Sequence, residues 1–474
     1  MSELEEFDAA LEVAHRHASR WLAELPERPI APQADIDQIK DALGRELPAT
    51  GASAREVVER LAVAGEPGLV GMPSPRFFGF VIGGTLPAAL GADWLVSAWD
   101  QNTGMRLTPT TTGAEELAAG WLLELLGLPA SAGLGFVTGA TTANFTCLTA
   151  ARDRVLDRVG WNSGRDGLAG GPRVRFLAGA ERHESVESAG RMAGLGLPQL
   201  IPADDQGRVD VAALERALAE GEGPAIVALQ AGNVHSGGFD DFAAAIEVVH
   251  AAGAWAHIDG AFGLWAAASP RLRHLTAGLA EADSWATDAH KTLNTPYDCG
   301  VAVVADRSAL TEAMGFTAAY LPEDGSMSEP HDLVPELSRR ARGVPVWAAL
   351  RELGRDGVAA LVDGLAAAAA ALEAGLRGIP GLRIVNDVVF TQVCVAAPDD
   401  AATLALGDAL LAGGVAYASP SRWHGRAVLR FSVSNAQTDA AAVARTLDAA
   451  ARAAAQLGLA AAPEAAAAEA VPTR

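Results

Sequence analysis

Cysteine is scarce in this sequence. Cys147, Cys299 and Cys394 are the only three among 474 residues, and no CxxC pair exists. That excludes a disulfide framework and a zinc ribbon and points to a reducing, cytoplasmic setting. Each of the three lies in an apolar stretch and reads as a core residue rather than a nucleophile. Basic residues are also short: 36 Lys and Arg face 58 Asp and Glu, a net charge of −22. Such a surface repels polyphosphate and anionic lipid, so neither nucleic acid nor membrane is an expected partner. The ten histidines form no HExxH pair, which argues against a zinc hydrolase, and no metal site is expected. The N-terminal MSELEEFDAA carries acids where a secretory signal needs an apolar core. The longest uncharged stretch, about 131–151, is too rich in Gly, Thr and Asn to read as a membrane span.

What is present is α/β patterning. Residues 1–85 read as an N-terminal segment: two helical stretches joined by LPERPIAPQAD, then a Gly-, Pro- and Phe-rich ordered loop, GMPSPRFFGFVIGGTLP. From 86 to 375, short apolar runs alternate with helices of about ten or more residues, the pattern of a mostly parallel sheet. The strands are GLGFVTG, VRFLAG, AIVALQA, AWAHIDGA, SWATDAH and CGVAVVAD. About ten residues link the last two, too few for a parallel crossover, which predicts one antiparallel strand. GAEELAAGWLLELLGL predicts a helix from about Gly113 that ends at Gly127. From 376 to 460 the pattern is that of a smaller α+β domain. Its strands fall in GLRIVND, FTQVCVAA, GVAYAS and AVLRFSVS, its helices at about 401–413 and 438–457, and 461–474 is a low-complexity tail.

Ligands of open α/β sheets bind beyond the carboxyl ends of the strands, so the residues after each strand are the candidates. GLGFVT is followed by Gly139-Ala140-Thr141-Thr142-Ala143-Asn144, small residues that open a helix as an anion site or as a simple cap. Their spacing matches neither a dinucleotide fingerprint nor a Walker loop. AWAHID ends in Asp259, either a loop cap or a buried carboxylate that needs a cation. SWATDA leads to His290 and Lys291, and VRFLAG leads to His183 in ERHESVESAG. Singly, a lysine after a strand is usually solvated and a loop histidine structural. Together they meet the needs of one cofactor, pyridoxal 5'-phosphate (PLP). It requires a phosphate cradle, a carboxylate that keeps the pyridine nitrogen protonated, a flat group on the ring and a lysine that holds the aldehyde as a Schiff base.

An ordered set of motifs carries a more specific likeness: SPRFFGF, TGATTANFTCLTAARD, RHESVESAG, HIDGAFG, DAHKTLNTPYDCG, SRRARGVPVWAALRELG and LRFSVSN. Over about residues 70–450 the chain resembles the group II PLP-dependent amino-acid decarboxylases, which include the aromatic-amino-acid and glutamate decarboxylases. The resemblance implies the α/β PLP-dependent transferase fold type I and a homodimer, with residues around Trp99 to Thr108 facing the partner's cofactor. It implies that Lys291 holds the cofactor, that His290 contacts cofactor or substrate, and that Asp259 pairs with the pyridine nitrogen above a floor made by Ala261. It implies further that His183 stacks on the ring and assists proton transfer, that Ala140 and Thr141 supply phosphate contacts, and that Arg430 holds the substrate carboxylate. Asp288 stands where some relatives have Asn near the phosphate, and Asn233 where relatives place Thr or Asn near the cofactor.

One departure bears on the outcome. Many members use a tyrosine on a mobile loop for the last protonation at Cα. The corresponding stretch here has only Tyr320, at its start, and the usual position falls near Pro330 and His331. His331 or His183 is then the candidate donor, and the alternative is an oxidative route to an aldehyde. Phe80, with Phe78 and Trp94, predicts an apolar pocket and hence an aromatic or hydrophobic L-amino acid. Aminotransferase and aldolase-type lyase chemistry on the same cofactor remain the competing activities, since fold does not dictate reaction.

Overall fold

The computed structural model describes residues 3–315 and 329–459; Tyr320 and the tail 461–474 lie outside them. Helices α1 (Glu3–Glu24), α2 (Ile36–Leu43) and α3 (Ala54–Gly65) precede strand β1 (Phe77–Phe78) and helices α4 (Pro87–Trp99) and α5 (Pro109–Leu126). Next come β2 (Gly133–Val137), α6 (Ala140–Asp157), α7 (Ser163–Asp166), β3 (Arg175–Gly179), α8 (Glu184–Met192), β4 (Gln199–Ile201) and α9 (Val211–Ala219). They are followed by β5 (Ala225–Gln230), α10 (Phe242–Ala251), β6 (Trp255–Asp259), β7 (Ser284–Asp288), β8 (Gly300–Val304) and α11 (Arg307–Met314). The long α12 (Gly343–Arg377) leads to β9 (Arg383–Ile384), β10 (Gln392–Ala396), α13 (Asp400–Ala412), β11 (Tyr417–Trp423), β12 (Arg426–Ser432) and α14 (Ala440–Gln456).

The larger sheet has the order β2-β8-β7-β6-β5-β3-β4. β8 is antiparallel to both its neighbours and every other pair is parallel. The one antiparallel strand is thus the predicted one, because the link from Asp288 to Gly300 is too short to recross the sheet. Strands β2, β6, β7 and β8 are buried along their whole length, as strands covered by helices on both faces must be. A buried polar chain ties α6 to this sheet. His257 Nε2 lies 2.9 Å from Asn144 Oδ1, His257 Nδ1 lies 2.9 Å from Ser284 Oγ, and Trp255 Nε1 donates to the same hydroxyl. Burial pushes the His257 imidazole down to about 3, so it is neutral and carries no uncompensated charge into the core.

The smaller sheet has the order β1-β11-β12-β10-β9. Its edge strand is a surprise of packing: Phe77 and Phe78, read as loop, pair in parallel with Tyr417 and Ala418. Phe78 is buried against Phe431, ring centroids 5.6 Å apart. Helix α12 joins the two cores. Val346, Ala349 and Leu350 belong to the core of the large sheet, and Leu365, Ala369, Leu372 and Leu376 to that of the small one. It breaks at Gly354, whose φ of +63° suits glycine. By length and composition this helix is apolar enough to cross a membrane; the two cores it bridges account for that composition.

Three local expectations change. The N-terminal segment holds three helices, since Asp35 and Ser53 each form a capping box. Helix α5 begins at Pro109, where proline suits the first turn, rather than near Gly113. The three-residue edge strand β4, only partly buried, carries no apolar alternation to announce it. All three cysteines are buried and unpaired, as expected.

Candidate active site

The carboxyl ends of β2, β5, β6 and β7 open into a cavity of about 660 Å³. Its walls carry Thr138 to Thr142 from the start of α6, His183, Gln230, Val234 and His235, Asp259 and Ala261, Asp288, His290, Lys291 and Tyr297. Phe80 reaches it from the N-terminal segment, Ser421 and Arg430 from the small sheet.

Each strand end delivers its residue for a local reason. β6 stops at Asp259 because Gly260 turns the chain, its N–H donating to the Ala286 carbonyl at 2.9 Å. Asp259 is buried. One of its oxygens accepts from the Ala261 N–H at 3.2 Å, and the other has no donor among the described residues. Burial pushes this carboxyl up, while His183 and Lys291 pull the other way. The segment after β7 folds back on itself: the Ala289 and His290 N–H groups donate to the Cys299 carbonyl, and Asn294 N–H to that of Lys291. Lys291 Nζ lies 2.7 Å from Asp288 Oδ2, and Asp288 Oδ1 is buried without a hydrogen-bond donor among the described residues. His290 accepts the Cys299 N–H at Nδ1, which leaves its proton on Nε2, 3.6 Å from Asp288 Oδ1. Burial lowers its pKa, with Asp288 opposing, and Tyr297 stacks on it at 4.2 Å.

Asn294 is the hub that holds this segment in place. Its amide donates to the carbonyls of Thr292 and Ser434, both at 2.9 Å, and its oxygen accepts from the N–H groups of Gly84 (2.6 Å) and Ala436 (2.9 Å). Gly83 lies flat on the Lys291 carbonyl, where a Cβ would come within 2.2 Å. Asn294→Ala strands several buried donors and acceptors, and is expected to lower stability to denaturant by about 3 kcal/mol.

The anion site expected after β2 is the start of α6. Its first main-chain N–H groups have no helical acceptor, and Ala140 and Thr141 face the cavity. Strand β8 lies so close that a Cβ on Gly300 would sit 2.5 Å from the Gly139 main chain. His183 caps α8 and accepts the Ser185 N–H at Nδ1, 3.2 Å away, so its proton is on Nε2. Arg430 donates to the Val234 carbonyl at 3.0 Å and the Phe80 carbonyl at 3.1 Å, and its buried Nε has no partner.

The structure brings together Ala140, Thr141, His183, Asp259, Ala261, Asp288, His290, Lys291, Arg430 and Phe80. It does not bring Asn233. That side chain is buried behind the wall, bonded to the Glu181 carbonyl and Gln230 Oε1 and accepting from the N–H groups of His235 and Ser236. Its amide is consumed in shaping the loop that presents its neighbours. Nor does His331 line this cavity. It is buried against the loop after α4, with both its main-chain N–H and its Nδ1 on the Gly104 carbonyl at 3.0 Å. The expected apolar trio is reduced to Phe80: Phe78 points into the small core, and Trp94 lies on α4 edge-on to His15. Sequence reasoning missed His235, Ser421 and Tyr297. His235 and Tyr297 follow strand ends or the lysine motif and were open to the same rule; Ser421 had no local signal.

Pyridoxal phosphate fits these residues. Asp259 is a buried carboxylate with one oxygen open to the cavity, Lys291 is the one lysine there, and the α6 start offers N–H donors to a phosphate. The comparisons agree. A sequence model described as the pyridoxal-dependent decarboxylase conserved domain matches residues 37–397. Tryptophan decarboxylase 1 of Oryza sativa subsp. japonica is 28% identical over 453 residues, 88% of this chain and 87% of that one. The L-2,4-diaminobutyrate decarboxylase of Rhizobium meliloti is 31% identical over 388 residues, 76% of this chain and 74% of that protein. The crystal structure of Oryza sativa TDC with PLP and tryptamine superposes with a TM-score of 0.89 at 25% identity, covering 96% of this chain and 99% of that one. From motif order, site geometry and these likenesses together, the chain belongs to the pyridoxal-dependent decarboxylase family and is a PLP-dependent amino-acid decarboxylase.

Proposed function

We propose that the protein converts an aromatic or hydrophobic L-amino acid to its amine and carbon dioxide. The observation that carries this is that Phe80 and Tyr297 present half-exposed rings, 55% and 59% exposed, to the cavity that holds Lys291 and Arg430. The tryptophan decarboxylase named above supports the reading. When bound, PLP supplies an electron sink for the breaking bond. The chain supplies the rest. Arg430, braced by two carbonyls, holds its guanidinium in the cavity wall to receive the substrate carboxylate and orient the bond to be broken. Asp259 holds negative charge at the pyridine end. Lys291 anchors the cofactor, and His183 holds a proton on Nε2 for return to Cα.

A second reading is favoured by one observation: His331 is held on Gly104, away from the cavity of its own chain. In this reading His183 delivers no proton to Cα; molecular oxygen takes up the two electrons left by loss of carbon dioxide, giving peroxide, and water releases the product as aldehyde and ammonia. Incubating the holoenzyme with a panel of L-amino acids, with products read by mass spectrometry, separates the two. Amine from aromatic substrates is expected. Aldehyde with peroxide selects the second reading, and keto acids overturn both.

The active unit in this reading is a homodimer. Leu4, Phe7 and Leu11 are exposed on one face of α1, and Trp94, Leu95 and Trp99 on α4, with His15 of α1 against Trp94. Isolated soluble chains rarely expose so continuous an apolar face. Phe7→Glu with Leu11→Glu is expected to shift the sedimentation mass from two chains to one. A wild type that sediments as a single chain contradicts the dimer.

A further inference from the structure

We infer that a second cavity, at the other end of the loop after β5, binds a free α-amino acid and steadies the wall of the active site. It does so whichever substrate the active cavity takes. This second cavity holds about 260 Å³, below the usual range for drug-sized ligands and on the order of one amino acid. Phe239 and Val389 give it apolar surface, Asp241 and Asp387 carboxylates, and Gln206 and Arg208 donors. The pointer to a ligand is Gln206, which is 9% exposed. Its Oε1 accepts the Asp387 N–H at 2.9 Å, while its Nε2 has no partner among the described residues. A donor so buried is costly to leave unpaired, so the cavity suits an occupant that brings an acceptor.

The charges set the class of occupant. Asp240, the innermost carboxylate, is already engaged by the N–H groups of Val209 and Gln230, both at 2.7 Å. Asp241 caps α10 through one oxygen, on the Ala244 N–H at 3.2 Å. Its other oxygen and both of Asp387 have no partner among the described residues. Arg208 Nε donates to Asp204 at 2.7 Å, and its two terminal nitrogens have no partner there either. A bare amine would meet the acids and leave Gln206 Nε2 unpaired. A bare carboxylate would meet Gln206 and Arg208 and be repelled by Asp241 and Asp387. A zwitterion answers both, and the apolar surface suits a side chain such as that of leucine. Two sets of contacts lead from here to the active cavity. Phe239 packs edge-on against Phe390 (centroids 5.7 Å), which stacks on Phe262 of the active cavity (6.3 Å). Ser236, in the shared loop, donates to the Gln206 carbonyl, and the same loop presents the Val234 carbonyl to Arg430. An occupant that restrains Gln206 and Phe239 therefore restrains the brace of Arg430.

Holoenzyme reduced with borohydride is the test material, because Lys291 then keeps the cofactor permanently and no incoming amine can replace it. Calorimetric titration with L-leucine is expected to show one site per chain. 3-Methylbutylamine and 4-methylpentanoate, which each lack one of the two charges, are expected to bind about 10-fold more weakly. Gln206→Leu is expected to weaken L-leucine about 10-fold, and Asp387→Asn about fivefold, the value of an exposed ion pair. The Asp387 side chain is exposed, so its variant judges the site even if Gln206→Leu folds poorly. Hydrogen exchange locates the ligand: L-leucine is expected to slow amide exchange in 204–209, 238–242 and 387–389, and through 231–236 of the shared loop. No saturable binding, equal affinity for the amine or the carboxylate alone, or affinity unchanged in Asp387→Asn overturns the assignment. So does protection at 288–297 instead, which would put L-leucine in the active cavity. Protection that stops short of 231–236 overturns the link to the active site.

Discussion

Lys291→Ala is expected to lower kcat by about 10²- to 10⁴-fold, the range associated with removing a positioned proton-transfer group. The chain contains only two lysines, Lys40 and Lys291. Lys40 lies on the exposed helix α2, paired with Asp37, so no second amine is available to replace Lys291. Borohydride reduction of the holoenzyme followed by peptide mass mapping is the direct check. The wild type should carry the cofactor mass on the peptide containing Lys291, and the variant on none. The loss removes one partner of the Asp288 ion pair and leaves that carboxylate buried, so the variant is also expected to fold less stably. Circular dichroism separates that effect from the chemical one. A variant that keeps wild-type turnover would remove Lys291 from the mechanism.

Asp259→Asn is the second large effect. The substitution keeps shape and removes the charge that faces the pyridine nitrogen in the proposed mechanism. A charge-assisted hydrogen bond of about 1.5–3 kcal/mol then becomes a neutral one of about 0.5–1.5 kcal/mol, which lowers kcat by about 5- to 10-fold. The stability sign runs the other way. Burial raises the Asp259 carboxyl above its unfolded value, so the folded chain without cofactor binds this proton more tightly than the unfolded chain. That contribution is present at low pH and is lost as pH rises through the folded value. The cofactor-free Asn variant is therefore expected to melt no lower than the cofactor-free wild type at neutral pH. Lower activity with undiminished thermal stability identifies an electrostatic role. Equal loss of both would make Asp259 a structural residue.

Much of the site was legible because strand ends in an α/β sheet converge at one edge. Asp259, His290 and Lys291 needed only that rule and the periodicity around them. Ala140 and Thr141 needed only the small residues that open a helix after a strand. The rule locates a main-chain position, and it does not say which way a side chain turns. Asn233 follows a strand end as well as His235 does, but its amide turns back to Glu181 and Gln230 while His235 faces the cavity. His331 stands at the sequence position of a missing tyrosine, yet the Gly104 carbonyl holds it elsewhere. Trp94 and Phe78 are as apolar as Phe80, and only packing sends Phe80 to the cavity. Its main-chain N–H is held by Ser419 Oγ at 2.7 Å, at a φ of +55° that periodicity does not reveal.

By itself the sequence determined the α/β alternation, the single antiparallel strand of the larger sheet, the acidic surface and the lysine with its strand-end partners. All of these are written in spacing over a few residues or in composition. Tertiary structure decided how the small sheet closes the site. Phe77 and Phe78 pair with Tyr417 and Ala418, Phe80 docks on Ser419 and Arg430, and Ser421 and Trp423 set the His235 ring. Those partners are separated by nearly two hundred to about three hundred and fifty residues of chain. What joins them is the packing of two cores across one bridging helix, and packing at that range leaves no local period to read.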